Sequence, residues 1–91
     1  MTEDYQEGSQ RKYEILVVDD EETIRDLACL ILSSQGYEVS TAINGRIALE
    51  MVCDSKKPDL ILTDLKMLEM NGVELASYLK AQNYRGKVIL A

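Results

Sequence analysis

Hydrophobic residues recur in two alternating patterns along this chain of 91 residues. Short apolar or β-branched runs are separated by longer stretches in which apolar residues return every three or four positions. The first pattern is typical of buried strands, and the second is typical of amphipathic helices. Together they predict the element order β-α-β-α-β-α-β, beginning near Tyr13.

The predicted strands are short, and the signals that end them are turn-forming or acidic residues. We expect strands at 15–18, 37–42, 60–63 and 87–91. The predicted helices lie between them, at 21–35, 45–54 and 71–82. Gly36 is placed to cap the first helix at its carboxyl end, and Asn71 with Glu74 has the spacing of a capping box that opens the third.

Strict alternation of strand and helix with short connections favours an α/β fold. We expect a doubly wound parallel sheet with helices on both faces. Residues 1–12 are polar and show no hydrophobic period, so we interpret them as a mobile tail that precedes one domain at 13–91.

Two of the predicted strands end in carboxylates. Asp19 and Asp20 follow the first strand, and Asp64 follows the third. In doubly wound folds the functional site lies at the carboxyl ends of the strands, so we expect these acids to share one edge of the sheet. Carboxylates that lie close together repel one another unless a cation or a shared proton intervenes. The pattern therefore predicts a site for a hard divalent cation such as Mg²⁺, working alongside phosphate.

The composition narrows the classes of partner. Ten basic and sixteen acidic residues give a net charge of −6, which disfavours nucleic acid and suits a cation or a basic partner. No apolar segment approaches the roughly 20 residues that span a bilayer, and the first residues lack the apolar core of a signal peptide. We therefore expect no membrane segment and a cytoplasmic location.

Four stretches in this order resemble the receiver domains of two-component response regulators, which have a flavodoxin-like fold. They are "ILVVDDEE" at 15–22, "GYEVSTAINGRIALE" at 36–50, "PDLILTDLKM" at 58–67 and "MNGVELASYLK" at 70–80. An acidic pair after a strand is a weak signal by itself. The four stretches together are highly specific, and they cover nearly all of the chain after residue 13.

The resemblance implies a role for each acid. Asp64 would be the phosphoacceptor, receiving a phosphoryl group from a sensor histidine kinase, a phosphotransfer protein or a small acyl phosphate. Mg²⁺ would be held by Asp64, by Asp20, by Asp19 through water, and by the main-chain carbonyl of Lys66. The protein would be a phosphoacceptor signalling domain rather than an enzyme with turnover.

The sequence also departs from the family pattern. Receivers have five strands and this sequence supplies four, so we expect an incomplete domain, truncated after the fourth strand. The family's Ser or Thr after the fourth strand and its Lys after the fifth would both lie beyond Ala91. Leu68 replaces a usual proline in the loop after Asp64. The open fourth strand leads us to expect a homo-oligomer formed through the sheet edge. The segment 27–32 is apolar all the way round, which suggests that the first helix makes contact on a second side.

Two alternatives remain open at this point. The chain could be a binding or dimerisation module, or a truncated fragment, that keeps the receiver frame and is not phosphorylated. It could also be a phosphatase of the haloacid-dehalogenase type. That reading is disfavoured because Leu65 and Lys66 follow Asp64, where such enzymes place a second acid as general acid.

Overall fold

A computed structural model describes residues 12–54, 57–65 and 70–91. Strands and helices alternate as the sequence predicted: β1 Glu14–Val18, α1 Glu22–Ser34, β2 Glu38–Ala42, α2 Gly45–Asp54, β3 Leu60–Thr63, α3 Gly72–Ala81 and β4 Lys87–Leu90. The expected polar tail, 1–12, lies outside the described residues except for Lys12. The domain limits at 13–91 stay a prediction.

The strands form one parallel sheet in the order β2-β1-β3-β4. The chain moves from β1 to β2 in one direction and then reverses to reach β3 and β4. Because strand-helix-strand connections are right-handed, the reversal places α1 on one face of the sheet and α2 with α3 on the other. The predicted fold class, a doubly wound α/β sheet, is confirmed.

The core lies between the sheet and the pair α2 and α3. Strand residues Leu16, Val18 and Ile61 supply one side of it. Helix residues from α2 and α3 supply the other side, namely Ala48, Val52, Leu75 and Leu79. All of these side chains are at most 2% exposed, so this layer contributes most of the hydrophobic stabilisation.

Helix α1 is packed far less completely than the other two helices. None of its residues is buried, and Leu27, Leu30 and Ile31 are exposed to 52%, 69% and 51%. The sequence suggested that α1 contacts neighbours on two sides. Within the described residues it contacts the sheet through β1 and β2, and an apolar stripe faces solvent.

The predicted cap at Gly36 is confirmed as a Schellman motif. Gly36 has a φ of 94°, which a residue with a side chain rarely adopts. Its N–H donates to the Ser33 carbonyl at 3.0 Å, and the Tyr37 N–H donates to the Leu32 carbonyl at 3.2 Å. These bonds satisfy the last carbonyls of α1 and turn the chain into β2.

The capping box of α3 is also confirmed. The Glu74 N–H donates to Asn71 Oδ1 at 2.9 Å, and the Asn71 N–H donates to Glu74 Oε1 at 3.1 Å. Asn71 itself has extended backbone angles, so α3 begins at Gly72, one residue later than predicted. Caps lie outside the helix they close, and this explains why α1 is also one residue shorter than expected at each end.

A cluster of hydrogen bonds joins the strands at their amino ends. The Tyr84 hydroxyl donates to the Pro58 carbonyl at 2.6 Å. One residue further on, the Asp59 carboxylate accepts from the Glu14 N–H at 2.7 Å, which joins β1 to the start of β3. Burial first, and then the negative charge of Asp59 and the neighbouring Tyr13, raise the pKa of Tyr84 to about 12.

We expect Tyr84→Phe to lower the free energy of unfolding by about 1 kcal/mol, because the Pro58 carbonyl loses its donor. The raised pKa means that the fold favours the protonated phenol. The contribution of this phenol is therefore fully present below about pH 10 and is lost as the pH rises through about 12. Urea unfolding of both proteins across this range should show a difference that shrinks above about pH 10.

Tyr78→Phe is the matched control, since Tyr78 is 52% exposed. It should leave stability unchanged at every pH. A difference between wild type and Tyr84→Phe that stays constant up to about pH 12 would contradict the assigned role of the phenol.

Candidate metal centre

Three carboxylates meet where β1 and β3 end. Asp19 and Asp20 follow β1, and Asp64 follows its neighbour β3. Each of the three offers a carboxylate oxygen, and these oxygens all lie within 4.8 Å of one another. Asp19 and Asp64 are half-buried and Asp20 is exposed. The cluster therefore opens to solvent on one side.

Main-chain hydrogen bonds fix two of these acids at the sheet edge. The Asp64 N–H donates to the Val18 carbonyl at 3.0 Å, and the Asp19 N–H donates to the Ala42 carbonyl at 3.2 Å. Both bonds extend the ladders of the parallel sheet by one residue. Position in the cluster thus follows directly from strand register.

The start of α1 orients Asp19 further. The Glu21 N–H donates to Asp19 Oδ1 at 2.9 Å, and Arg25 Nη1 donates to the Asp19 main-chain carbonyl at 2.8 Å. Sequence reasoning missed Arg25. Its signal is a basic residue one turn into a helix that follows an acidic strand end, which brings a positive charge back toward the acids.

Two neighbouring residues contact the main-chain carbonyl of Asp64. The Thr63 side chain is 1% exposed, and its hydroxyl donates to the Asp64 carbonyl at 3.1 Å. Gly72, the first residue of α3, approaches the same carbonyl so closely that a Cβ built on it would lie 2.6 Å from the oxygen. Gly72 belongs to the stretch "MNGVELASYLK" that resembles the receiver family. The sequence does not reveal its contact with the Asp64 carbonyl, which leaves no room for a side chain.

Electrostatics make the cluster suitable for a cation. Two ionised carboxylates less than 5 Å apart repel by about 3 to 4 kcal/mol at an effective dielectric constant of about 20. The three side chains offer oxygen ligands alone, which suits hard cations such as Mg²⁺. They fit the group that the sequence predicted. Lys66, whose main-chain carbonyl was expected to be a further ligand, lies outside the described residues, as does Leu68.

The fold and the acidic edge together define a class of protein, the receiver-type α/β domains. The family model for the response regulator receiver domain matches residues 15–91. The chain belongs to this family and is a receiver domain of the kind that acts in two-component signalling. Receiver domains of this family interact with histidine kinases or phosphotransfer proteins.

Individual relatives agree with the family. Regulatory protein AtoC of Escherichia coli is 38% identical over 76 residues, covering 84% of this chain and 16% of its own length. Sporulation initiation phosphotransferase F of Bacillus subtilis is 37% identical over 76 residues, covering 84% of this chain and 60% of its own. This chain therefore spans less than two thirds of either relative.

A solved structure of similar fold is the response regulator protein TrrA of Thermotoga maritima in complex with Mg²⁺ and BeF. It superimposes with a TM-score of 0.80 and 39% identity, over 88% of this chain and 68% of the other. No helix among the described residues combines the length and hydropathy that a bilayer crossing requires. The cytoplasmic location stays a prediction.

We expect Gly72→Ala to reduce stability by about 1 to 3 kcal/mol and to displace Asp64. Alanine is the better helix former by about 1 kcal/mol, but the atom it would meet is a main-chain oxygen that cannot rotate away. Urea unfolding and the amide NMR shift of Asp64 measure the two effects. Val73→Ala, at an exposed position of the same turn, is the control. Equal stability and equal Asp64 shifts in both variants would contradict the contact.

Proposed function

We propose that the chain is a phosphoacceptor receiver in which Asp64 takes a phosphoryl group with the help of Mg²⁺. The observation that carries the proposal is the convergence of Asp19, Asp20 and Asp64 within 4.8 Å at the carboxyl edge of the sheet. Membership of the receiver family supports it, because that family works in two-component signalling.

The proposed chemistry is transfer to a carboxylate. A carboxylate oxygen of Asp64 forms a bond to phosphorus, and the bond from phosphorus to the donor's nitrogen or oxygen breaks, leaving an aspartyl phosphate and the free donor. The donor would be a phosphohistidine of a sensor histidine kinase or phosphotransfer protein, or a small acyl phosphate. Bound Mg²⁺ would neutralise charge on the carboxylate and phosphoryl oxygens, which otherwise repel one another.

The three acids and the Lys66 carbonyl have separate roles in this proposed reaction. Asp64 is anchored through its N–H to β1, so its carboxylate stays at the edge of the sheet. Asp20 would bind the metal directly, and Asp19, oriented by the Glu21 N–H, would bind it through water. We carry over the Lys66 carbonyl as a further ligand on the strength of the family resemblance alone.

We expect acetyl phosphate with Mg²⁺ to add about 80 Da, the mass of one phosphoryl group, to the intact protein. Asp64→Asn should remove the adduct, because an amide has no nucleophilic oxygen anion. Asp26→Asn, an exposed acid on α1, is the matched control and should keep it. Chelation of Mg²⁺ should abolish the adduct in every variant.

The folded state of each variant is checked by circular dichroism before mass spectrometry. A folded wild type that gains no adduct would overturn the proposed phosphoacceptor. An adduct that persists in Asp64→Asn would instead show that another residue accepts the phosphoryl group.

The second candidate function is a binding or dimerisation module that is not phosphorylated. It is favoured by β4, an edge strand of the described sheet whose Ile89 and Leu90 are 48% and 40% exposed. The Lys87 N–H donates to the carbonyl of Asp59, just before β3, and the Ala91 N–H donates to that of Thr63 in β3. By the alternation of a strand, Val88 and Leu90 direct their main-chain groups away from β3, where a second copy could pair with them.

We expect the molar mass from light scattering to rise toward that of a dimer with increasing protein concentration. Ile89→Lys should shift the protein to the monomer, because a charge on an edge strand opposes pairing. Ile43→Lys, at a position 52% exposed in the loop after β2, is the control. A monomer at the highest concentration reached would argue against a homo-oligomer.

A further inference from the structure

A groove of about 620 Å³ lies at the amino ends of the strands, at the opposite edge of the sheet from the acidic cluster. It is formed by the residue before β1, the end of α2, and the loops that lead into β3 and β4. We call it the amino-edge groove and define it by Tyr13, Val52, Lys57, Pro58, Tyr84 and Arg85. We propose that this groove binds a small organic anion with a flat apolar body.

The walls of the amino-edge groove combine aromatic and apolar side chains with polar ones, and the two tyrosine rings are held in place. Tyr84 is fixed by its hydrogen bond to the Pro58 carbonyl at 2.6 Å. Gly86 lets this loop close, since a Cβ there would collide with the Tyr84 hydroxyl and lie 2.8 Å from the Asp59 carbonyl. The Tyr13 ring is held edge-on against Tyr37, with centroids 5.8 Å apart. A preformed cleft of this volume falls within the range of small-molecule sites.

The polar groups of the groove are unbalanced toward donors. The Lys57 ammonium donates one N–H to the Val52 carbonyl at 2.9 Å and has two further N–H donors. Within the part of the chain that the structure describes, the Arg85 guanidinium makes no hydrogen bond or ion pair. Gln82 and Asn83 also line the groove, and each side-chain amide carries two N–H donors and one acceptor oxygen. This set complements an anion, even though the protein as a whole carries a charge of −6.

Two of the acceptors in the groove already hold hydrogen bonds. Asp59 is the one carboxylate among the described lining residues, and it accepts from the Glu14 N–H at 2.7 Å. The Pro58 carbonyl accepts from Tyr84. A cationic ligand would meet the positive charges of Lys57 and Arg85 and the single negative charge of Asp59, so the net charge of the described lining disfavours it. A carboxylate or a phosphate on an aromatic body satisfies both the donors and the walls.

Two cysteines provide an internal test. Cys53 lines the groove and is exposed, whereas Cys29 lies on α1, outside it. The probes are 2-naphthoate, 2-naphthyl phosphate and the neutral 2-naphthamide, added to the full chain in EDTA so that no metal bridges them to the acidic cluster. Iodoacetamide labelling of each cysteine is followed by peptide mass spectrometry. We expect one or both anions to slow labelling of Cys53 at least about fivefold at saturation and to leave Cys29 unchanged, with little effect of the amide.

Arg85→Gln should raise the concentration of anion needed for protection about tenfold, because a charge-assisted hydrogen bond is lost. Lys57→Gln should act in the same direction. Arg46→Gln removes the same charge from the exposed face of α2 and should change nothing. Circular dichroism confirms that each variant is folded.

Several outcomes would overturn the proposal. The first two are that neither anion protects Cys53 and that 2-naphthamide protects it as well as the anions do. The third is that Cys29 is protected equally, through binding to the apolar face of α1. The fourth is that Arg85→Gln needs no more anion than Arg46→Gln to protect Cys53. Comparison of the naphthoate and naphthyl phosphate arms separates carboxylate from phosphate ligands. Because the test contains no Mg²⁺ and no phosphoryl donor, its result is independent of the function proposed for Asp64.

Discussion

The parallel pairing of β1 with β3 is the constraint on which the rest of the molecule depends. Four consecutive residues of β1, 15–18, are buried, so their main-chain groups must find partners in strands on both sides. Pairing in register leaves the two strand ends side by side. Asp19 and Asp64 then become neighbours without any dedicated loop. Strand register thus brings Asp19 and Asp64 together, and contacts from Arg25 of α1 and Gly72 of α3 then fix their main chains.

Elements bounded by strong local signals were predictable from the sequence. The bounds of α2 and β3 match the expected residues, because Gly45 opens one and the pair Pro58 and Asp64 brackets the other. The proximity of the three acids followed from a general rule about parallel sheets. The features that escaped prediction join a strand end to the helix that follows it, across six and eight positions of the chain. Arg25 on the Asp19 carbonyl and the approach of Gly72 to Asp64 both depend on tertiary packing.

The packing around each helix and strand was harder to predict than the helices and strands themselves. The apolar sequence of α1 indicated a helix covered on two sides, yet its leucines at 27 and 30 are largely in solvent among the described residues. Periodicity reports which side chains favour burial, and it does not report what covers them. The amino-edge groove is a similar case. Its lining comes from four separate segments, and none of them contains a sequence motif that predicts a cavity.

The length of β3 has a consequence for how the two ends of the sheet influence each other. Its four residues, at about 3.3 Å each, separate the groove from the acids by more than 13 Å. This exceeds the Debye length of about 8 Å at physiological ionic strength, so exposed charges at the two ends are largely screened from one another. Charge alone therefore couples the two edges weakly, and any stronger coupling has to be carried by displacement of the packed strands and helices that lie between them.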